Sequence, residues 1–482
     1  MKKVLRLIYS LLFALILYQF FLRFSLWNFK GMNSDHAIHI LMGESFDWGK
    51  DWYYWGQNRL GSFIPLIGSL LIGLGLNSFT ALGVTQSILC LLIVFLLRLS
   101  IKSHVVFLAA TAVVLLPIYP FWMQVTTGHP YLSQILFNLL LLACFSSQAL
   151  KNRSKAILLP LLAMLSLWAS ELSLAFLLAI VLIEYKALWQ LIKEQAIPVI
   201  ISTVVGFSFL YFAKSNAVSV ASYAKLFTSP QNALNALSDH LHGFNSTLLF
   251  ETNMPFNGLL IWAYLLILSL FGLLSFKREL LGVTGKTKTL ILAAAISFLL
   301  IILANWSQEM GNPLRYYTYS YILFALGFLT FIEQSAKKLP GVSILALLLG
   351  ALTVNASIQF NNDFETGTPD RITKQEAKQL IKKLSQEFPS EESISVIGSY
   401  WNTYLIDALS EKFIAIPHKG AQIRDYRNLD QIRANKYFIL IGNDWLDAFP
   451  LKIEQHQVKL TMVRSYLSLG EIKYALYKQS LP

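Results

Sequence analysis

The densest run of groups able to do chemistry lies between Gly31 and Ser62. It opens as Gly31-Met32-Asn33-Ser34-Asp35-His36-Ala37-Ile38-His39 and passes Glu44, Asp47 and Asp51. An aromatic run, Trp52-Tyr53-Tyr54-Trp55, then leads to Gly56-Gln57-Asn58-Arg59-Leu60-Gly61-Ser62. A carboxylate fixed at a membrane surface beside Trp and Tyr can take a proton from an attacking hydroxyl, while flat aromatic faces stack on the apolar side of a pyranose. Sugar chemistry needs such equipment. The same residues have plainer uses, because Trp and Tyr favour membrane interfaces and an aspartate at a helix start caps it. Asp35, His36 and His39 share a helical turn, but no clear third and fourth ligand accompanies them. We therefore expect no metal and no cofactor, a divalent ion being the alternative. Gly-rich nucleotide loops and the Ser-x-x-Lys and Gly-x-Ser-x-Gly nucleophile patterns are not apparent.

The elements that must position this loop are set by composition. The 482 residues are 55% hydrophobic and only 14% charged, with mean hydropathy +0.53. Soluble domains carry roughly 25% charged residues. Residues 1–360 hold 23 Lys/Arg against 12 Asp/Glu, whereas residues 361–482 hold 16 against 15. That division predicts a transmembrane domain over 1–360 and a small, nearly neutral domain over 361–482. The positive charges lie between apolar runs instead of forming a patch, which reads as membrane topology and not as nucleic-acid binding. Cys90 and Cys144 sit inside apolar runs and indicate no disulfide framework. The start, Met1-Lys2-Lys3 followed by Leu7–Phe21, lacks a small-x-small cleavage site, so an uncleaved first span is expected.

A crossing takes about 20 apolar residues. Candidate spans are 5–24, 79–98, 104–124, 131–150, 156–169, 172–190, 197–213, 257–276, 289–305, 315–333 and 340–358. The stretch 60–76, with Pro65 and four glycines, is better placed in the interface. Full crossing there would put the Arg98–Lys102 and Lys151–Lys155 clusters on opposite faces. With the N-terminus cytoplasmic, 16 of the 23 early Lys/Arg face the cytoplasm. About 11 crossings result, with the first outer loop (25–76) and the C-terminal domain on the extracytoplasmic side. In the C-terminal part, Thr373–Phe388 has helical spacing. Ser393–Ile397, Phe413–Ile416 and Tyr437–Ile441 suit strands, giving a small α/β unit.

Several of these stretches resemble, in the same order along the chain, the GT-C membrane glycosyltransferases, which include protein mannosyltransferases and the aminoarabinose transferase. Ser34-Asp35-x-Ala37, Tyr54-x-Gly56-Gln57 and Gly61-Ser62 resemble their first outer loop. Gly128-His129-Pro130-Tyr131 resembles a Gly-rich turn before a helix, Leu165–Leu174 a broken helix pair, and Leu314-Arg315-Tyr316-Tyr317 an Arg-Tyr at an outer helix mouth. Ser399–Tyr404 and Ile414–Pro417 resemble the outer domain of bacterial members. The chain departs from the family at two places: His36 stands where many relatives have a second acid, and Ile64 where some have a Glu.

The resemblance implies transfer of a sugar from a polyprenyl-phosphate donor, with inversion, to an unknown acceptor at the outer face of a bacterial inner membrane. Asp35 would be the base or would orient the acceptor. Arg59 and Arg315 would hold the lipid phosphate, since a guanidinium fork fits two phosphate oxygens. Gln57, His129, Tyr131 and Tyr316 would line the site, and a second acid, if present, would come from Glu44, Asp47 or Asp51. The partners so implied are the polyprenyl-phosphate-linked sugar and membrane lipids, with no nucleic acid. The competing readings are a transporter or flippase of a lipid-linked glycan, which would put Glu171 at depth, and an inactive membrane scaffold.

Overall fold

The structure is a computed structural model. It describes residues 2–118, 121–217, 227–248, 284–336, 341, 343–363, 372–388, 393–425, 427–442, 445–446, 448–469 and 472–480. The molecule is a multi-pass helical membrane protein carrying a small sheet domain. Helix α1 (Lys2–Arg23) turns Val4, Leu7, Leu11 and Leu15 outward, as a lipid-facing helix must. Five described helices are long and apolar enough to cross a membrane. They are α1, α4 (Ser78–Ser100), α8 (Leu174–Glu194) with the turn before it, α9 (Ala196–Ser215) and α11 (Gly285–Leu303). Helices α6 (Tyr131–Ser146), α7 (Asn152–Ala169), α12 (Thr318–Ser335) and α13 (Ser343–Asp363) occupy the other expected spans, and α10 (Pro230–Leu248) lies between α9 and α11. The expected span 257–276 lies outside the described residues.

One expected span differs from a continuous helix. The 104–124 stretch forms only α5 (His104–Leu115), followed by a 3-10 turn at Trp122–Val125. Pro117 disfavours helix at Leu116, whose ψ of 89° leaves the helical region. The non-helical backbone is tolerated because it is buried in protein. Gln124 Nε2 donates to the carbonyls of Val113 and Val114 (2.7 and 3.1 Å). Gln86, buried on α4, donates to the carbonyls of Phe24 (3.0 Å) and Val125 (2.6 Å) and accepts from the Leu26 amide (2.7 Å). That single amide ties the end of α1 to the 122–125 turn. At the centre, α12 has both its polar and apolar residues buried, including Tyr319 and Tyr321.

The stretch 60–76 forms the short helix α3 (Phe63–Gly73) after α2 (Ser34–Glu44). Gly61 lies so close to Trp168 that an added Cβ would sit 2.4 Å from its carbonyl oxygen. The Gly61 amide donates to the Ala169 carbonyl (3.2 Å), and Leu60 bridges Ser170. The helix pair broken at 169–173 therefore serves as the dock for the first loop.

Beyond residue 372 the expected helix appears as α14 (Lys374–Glu387), with Thr373 and Glu376 forming a capping box. The expected strands appear as β1 (Ile394–Gly398), β2 (Phe413–Pro417) and β3 (Tyr437–Ile441). Helices α15 (Tyr400–Leu409) and α16 (Arg427–Ala434) connect them. Three more strands, β4 (Lys452–Gln455), β5 (Val458–Leu469) and β6 (Ile472–Gln479), complete a six-stranded sheet of order β2-β1-β3-β6-β5-β4. Strands β2, β1 and β3 are parallel and the rest antiparallel. β4 and β5 turn through His456 and Gln457, both at positive φ (51° and 70°), as a tight hairpin requires. This domain sits on the membrane helices through Lys374, whose Nζ donates to the carbonyls of Leu26 (3.1 Å) and Trp27 (2.8 Å), and through α15 against α2.

Candidate active site

Asp35 is in the first turn of α2. Asn33 caps that helix by accepting from the Asp35 amide, and the His36 ring closes the capping box. An aspartate there also meets the positive end of the helix dipole. The Asp35 side chain is 22% exposed, so it is shielded without being sealed. Its Oδ1 accepts from the hydroxyls of Tyr400 (2.9 Å) and Tyr54 (3.3 Å). Burial, reinforced by the Asp35 charge, pushes both phenols well above their ordinary values, so they remain donors. On the other oxygen, His129 Nε2 stands 3.9 Å from Oδ2.

That approach depends on Gly128. An added Cβ would lie 2.7 Å from both the Asp35 carbonyl carbon and the His36 amide nitrogen. The 3.9 Å contact is not an ion pair. Burial pushes His129 down to about 4; Asp35 opposes the shift and Arg315 adds to it, so the imidazole is neutral above that pH. His36 and His39 are held low by the same cause, His39 at about 3.

Arg315 lies in a one-turn 3-10 helix, Leu314–Tyr317. Gly311 and Asn312 precede it at positive φ (74° and 49°), and Asn312 Oδ1 accepts from Ser307 Oγ (2.9 Å) and the Tyr317 hydroxyl (2.7 Å). The Arg315 guanidinium lies 5.4 Å from the Tyr316 ring centroid, and its buried Nε has no hydrogen-bond partner. Tyr316 packs edgewise on Trp306 (4.7 Å), and Arg59 sits over the same Trp306 at 5.3 Å. Tyr131 is 6.2 Å from His129, ring to ring. The fold thus gathers Asp35, His129, Tyr131, Arg315 and Tyr316, with Arg59 at the edge of the group. Gln57 lies in the turn between Tyr54 and Leu60 and leaves a buried Oε1 without a partner.

The three candidate second acids are engaged elsewhere. Asp51 accepts from Trp55 Nε1 (2.8 Å) and the Asp47 amide (2.9 Å), with Arg427 at 3.7 Å. Asp47 caps its own turn through the Gly49 amide (2.8 Å). Glu44, nine residues beyond Asp35 on the same helix, is about 13 Å further along its axis and faces Glu411 and Ser78. In place of a second acid, Asp35 faces two tyrosines.

Sequence reasoning did not single out Tyr400 or Arg424 as site residues, and both come from the C-terminal domain. Tyr400 opens α15, and its carbonyl also accepts from Ser34 Oγ (2.7 Å). Arg424 lies 5.5 Å from the Tyr400 ring centroid and packs against Gly56, whose φ of 76° and missing Cβ leave it room. The Arg424 amide donates to the Tyr404 hydroxyl (2.6 Å), and its buried Nε is unpartnered. Gln57, His129, Arg315 and Arg424 each keep a buried side-chain polar atom without a hydrogen-bond partner in the protein.

No protein-family model matches the sequence, and no curated protein matches it. Solved structures do. That of ArnT from Cupriavidus metallidurans bound to undecaprenyl phosphate aligns over 97% of both chains at 11% identity with a TM-score of 0.55. The same protein in the apo state aligns over 97% of both at 10% identity and 0.44. From end to end, the chain shares the fold of that ArnT.

Proposed function

We propose that the protein is a glycosyltransferase that moves a sugar from a polyprenyl-phosphate donor to an acceptor at the outer face of the inner membrane. The observation that carries this reading is the setting of Asp35. Its carboxylate, partly exposed, is steered by two tyrosine hydroxyls, flanked by a neutral histidine, and placed in one pocket region with Arg315. The shared fold with a protein that binds undecaprenyl phosphate supports the donor class.

In this reading the acceptor hydroxyl gives its proton to Asp35 as its oxygen attacks the anomeric carbon. The bond to the lipid phosphate breaks on the opposite face, so the configuration inverts. Arg315 takes the phosphate charge, with Arg59 beside it across the Trp306–Tyr316 pair. The tyrosines keep one lobe of the carboxylate fixed, which holds the other toward the acceptor. The orientation has a cytoplasmic N-terminus, about 11 crossings over 1–360 and an extracytoplasmic domain over 361–482. Lys/Arg placement supports it. Against the transporter reading, Glu171 is taken up by an ion pair with Lys214 at 2.7 Å.

The test is to incubate purified protein with a polyprenyl-phosphate sugar and candidate glycan-lipid acceptors, following release of polyprenyl phosphate by mass spectrometry. Release that requires acceptor and vanishes in Asp35→Asn supports the proposal. Full release by that variant, in correctly inserted protein, removes Asp35 from the role.

A further inference from the structure

The described residues enclose a second feature at the other end of α7. Ala169 touches the first loop, whereas Arg153 is 16 residues away on the same helix, about 24 Å along its axis. Along its length α7 closes on α9 at two tight points. Ser202 Oγ donates to the Ala156 carbonyl (3.1 Å), and a Cβ on Gly206 would sit 2.4 Å from Met164 Cγ. Beside this contact runs a groove of about 770 Å³. Its walls are apolar, with Ile157 and Leu161 from α7 and Ile201 and Val205 from α9, and its open end carries Arg153 and Lys193.

Three observations define what fits. The lining runs from Ile197 to Val205, eight rises or about 12 Å, the reach of roughly the first ten carbons of an acyl chain. The mouth is cationic. Its one carboxylate, Glu194, already accepts from Asn152 Nδ2 (2.8 Å) and Gln190 Nε2 (2.9 Å). Helix α7 begins at this mouth and Lys151 provides no side-chain cap, so its first-turn amides add positive potential.

We propose that this groove holds one anionic phospholipid, with an acyl chain along Ile157–Leu161 and Ile201–Val205 and the headgroup phosphate between Arg153 and Lys193. The site is separate from the sugar-transfer reading and stands without it. A lipid here wedges α7 against α9 at the end opposite the first-loop dock, and so steadies the helix whose far end carries Trp168.

The experiment uses the full chain in detergent, titrated with phosphatidylglycerol or with phosphatidylcholine of the same acyl chains, and read by native mass spectrometry. One phosphatidylglycerol should be retained in preference to phosphatidylcholine. Each basic side chain removed should weaken retention about fivefold, so Arg153→Gln with Lys193→Gln should cost about twenty-fivefold. Ile201→Trp, which fills the groove and leaves the charges, should abolish retention of either lipid at this site. The fold of each variant is checked by size-exclusion profile and circular dichroism. Equal retention of the two lipids overturns the proposal, as does unchanged selectivity in the double Gln variant.

Discussion

Asp35 and Asp51 lie in one loop, yet they are built for opposite purposes. Asp51 is 10% exposed at its side chain, and its two oxygens are taken up by Trp55, the Asp47 amide and Arg427. Ser62 Oγ also donates to its carbonyl. Everything around it fixes the shape of residues 47–62. Asp35 has twice that exposure, donors on one oxygen only, and atoms without partners around it. A carboxylate whose hydrogen bonds are complete is architecture, while one with an open side is equipment. The neighbours separate the two; the residue type does not.

The contrast can be broken by mutation. Asp35→Asn should lower turnover by about a thousandfold, the scale of a lost general base, with the melting temperature unchanged. A steady-state assay beside a thermal melt checks both halves. Tyr400→Phe should lower kcat roughly tenfold, because a hydrogen bond to a charged acceptor is lost, with donor KM little altered. A larger KM than kcat effect would make Tyr400 a donor contact instead of a positioning residue. Asp51→Asn should reverse the pattern, with kcat within about threefold of the parent. It should also destabilise the protein by about 1–3 kcal/mol, as one of the two donors, Trp55 Nε1 or the Asp47 amide, then faces an NH2 group instead of an acceptor, measured by thermal unfolding.

The smallest effect concerns pH. Burial pushes His129 down to about 4 in the folded protein, below its ordinary value of 6.5 in the unfolded chain. Between those values the unfolded chain binds the extra proton, so stability falls as pH falls from about 6.5 to 4 and is fully present above that window. His129→Gln should flatten this acid slope by up to about 1.4 kcal/mol per pH unit. It should also leave no new limb in the activity profile between pH 5 and 8. A parent profile with a His129-dependent limb near neutrality would contradict the neutral imidazole.

Much of the scaffold was readable because hydropathy and charge act locally. Among the described residues, the apolar runs became helices within a few residues of the expected positions. The 104–124 run fell short because the 3-10 turn beyond Pro117 finds its partners in Gln86 and Gln124, long-range contacts that a window of hydropathy cannot register. The strands β4 to β6 went unread because they alternate polar and apolar residues too irregularly, with bulges in β5. At the site, the resemblance to the GT-C enzymes pointed to Asp35, His129 and Arg315, and the fold brings the three together. Arg424 carried no local signal.

The sequence by itself determined that the chain enters a membrane, that polar chemistry concentrates in residues 31–62, and that a small α/β unit follows residue 360, because burying apolar side chains and avoiding charge in lipid are properties each segment has alone. Only the tertiary structure decided which carboxylate stands open. That choice depends on Tyr400, 365 residues away, reaching Asp35, and on Gly128 letting two backbones pass within a bond's width of contact. Such proximity belongs to no segment, since it arises when the C-terminal domain seats on α2 and closes one side of the pocket.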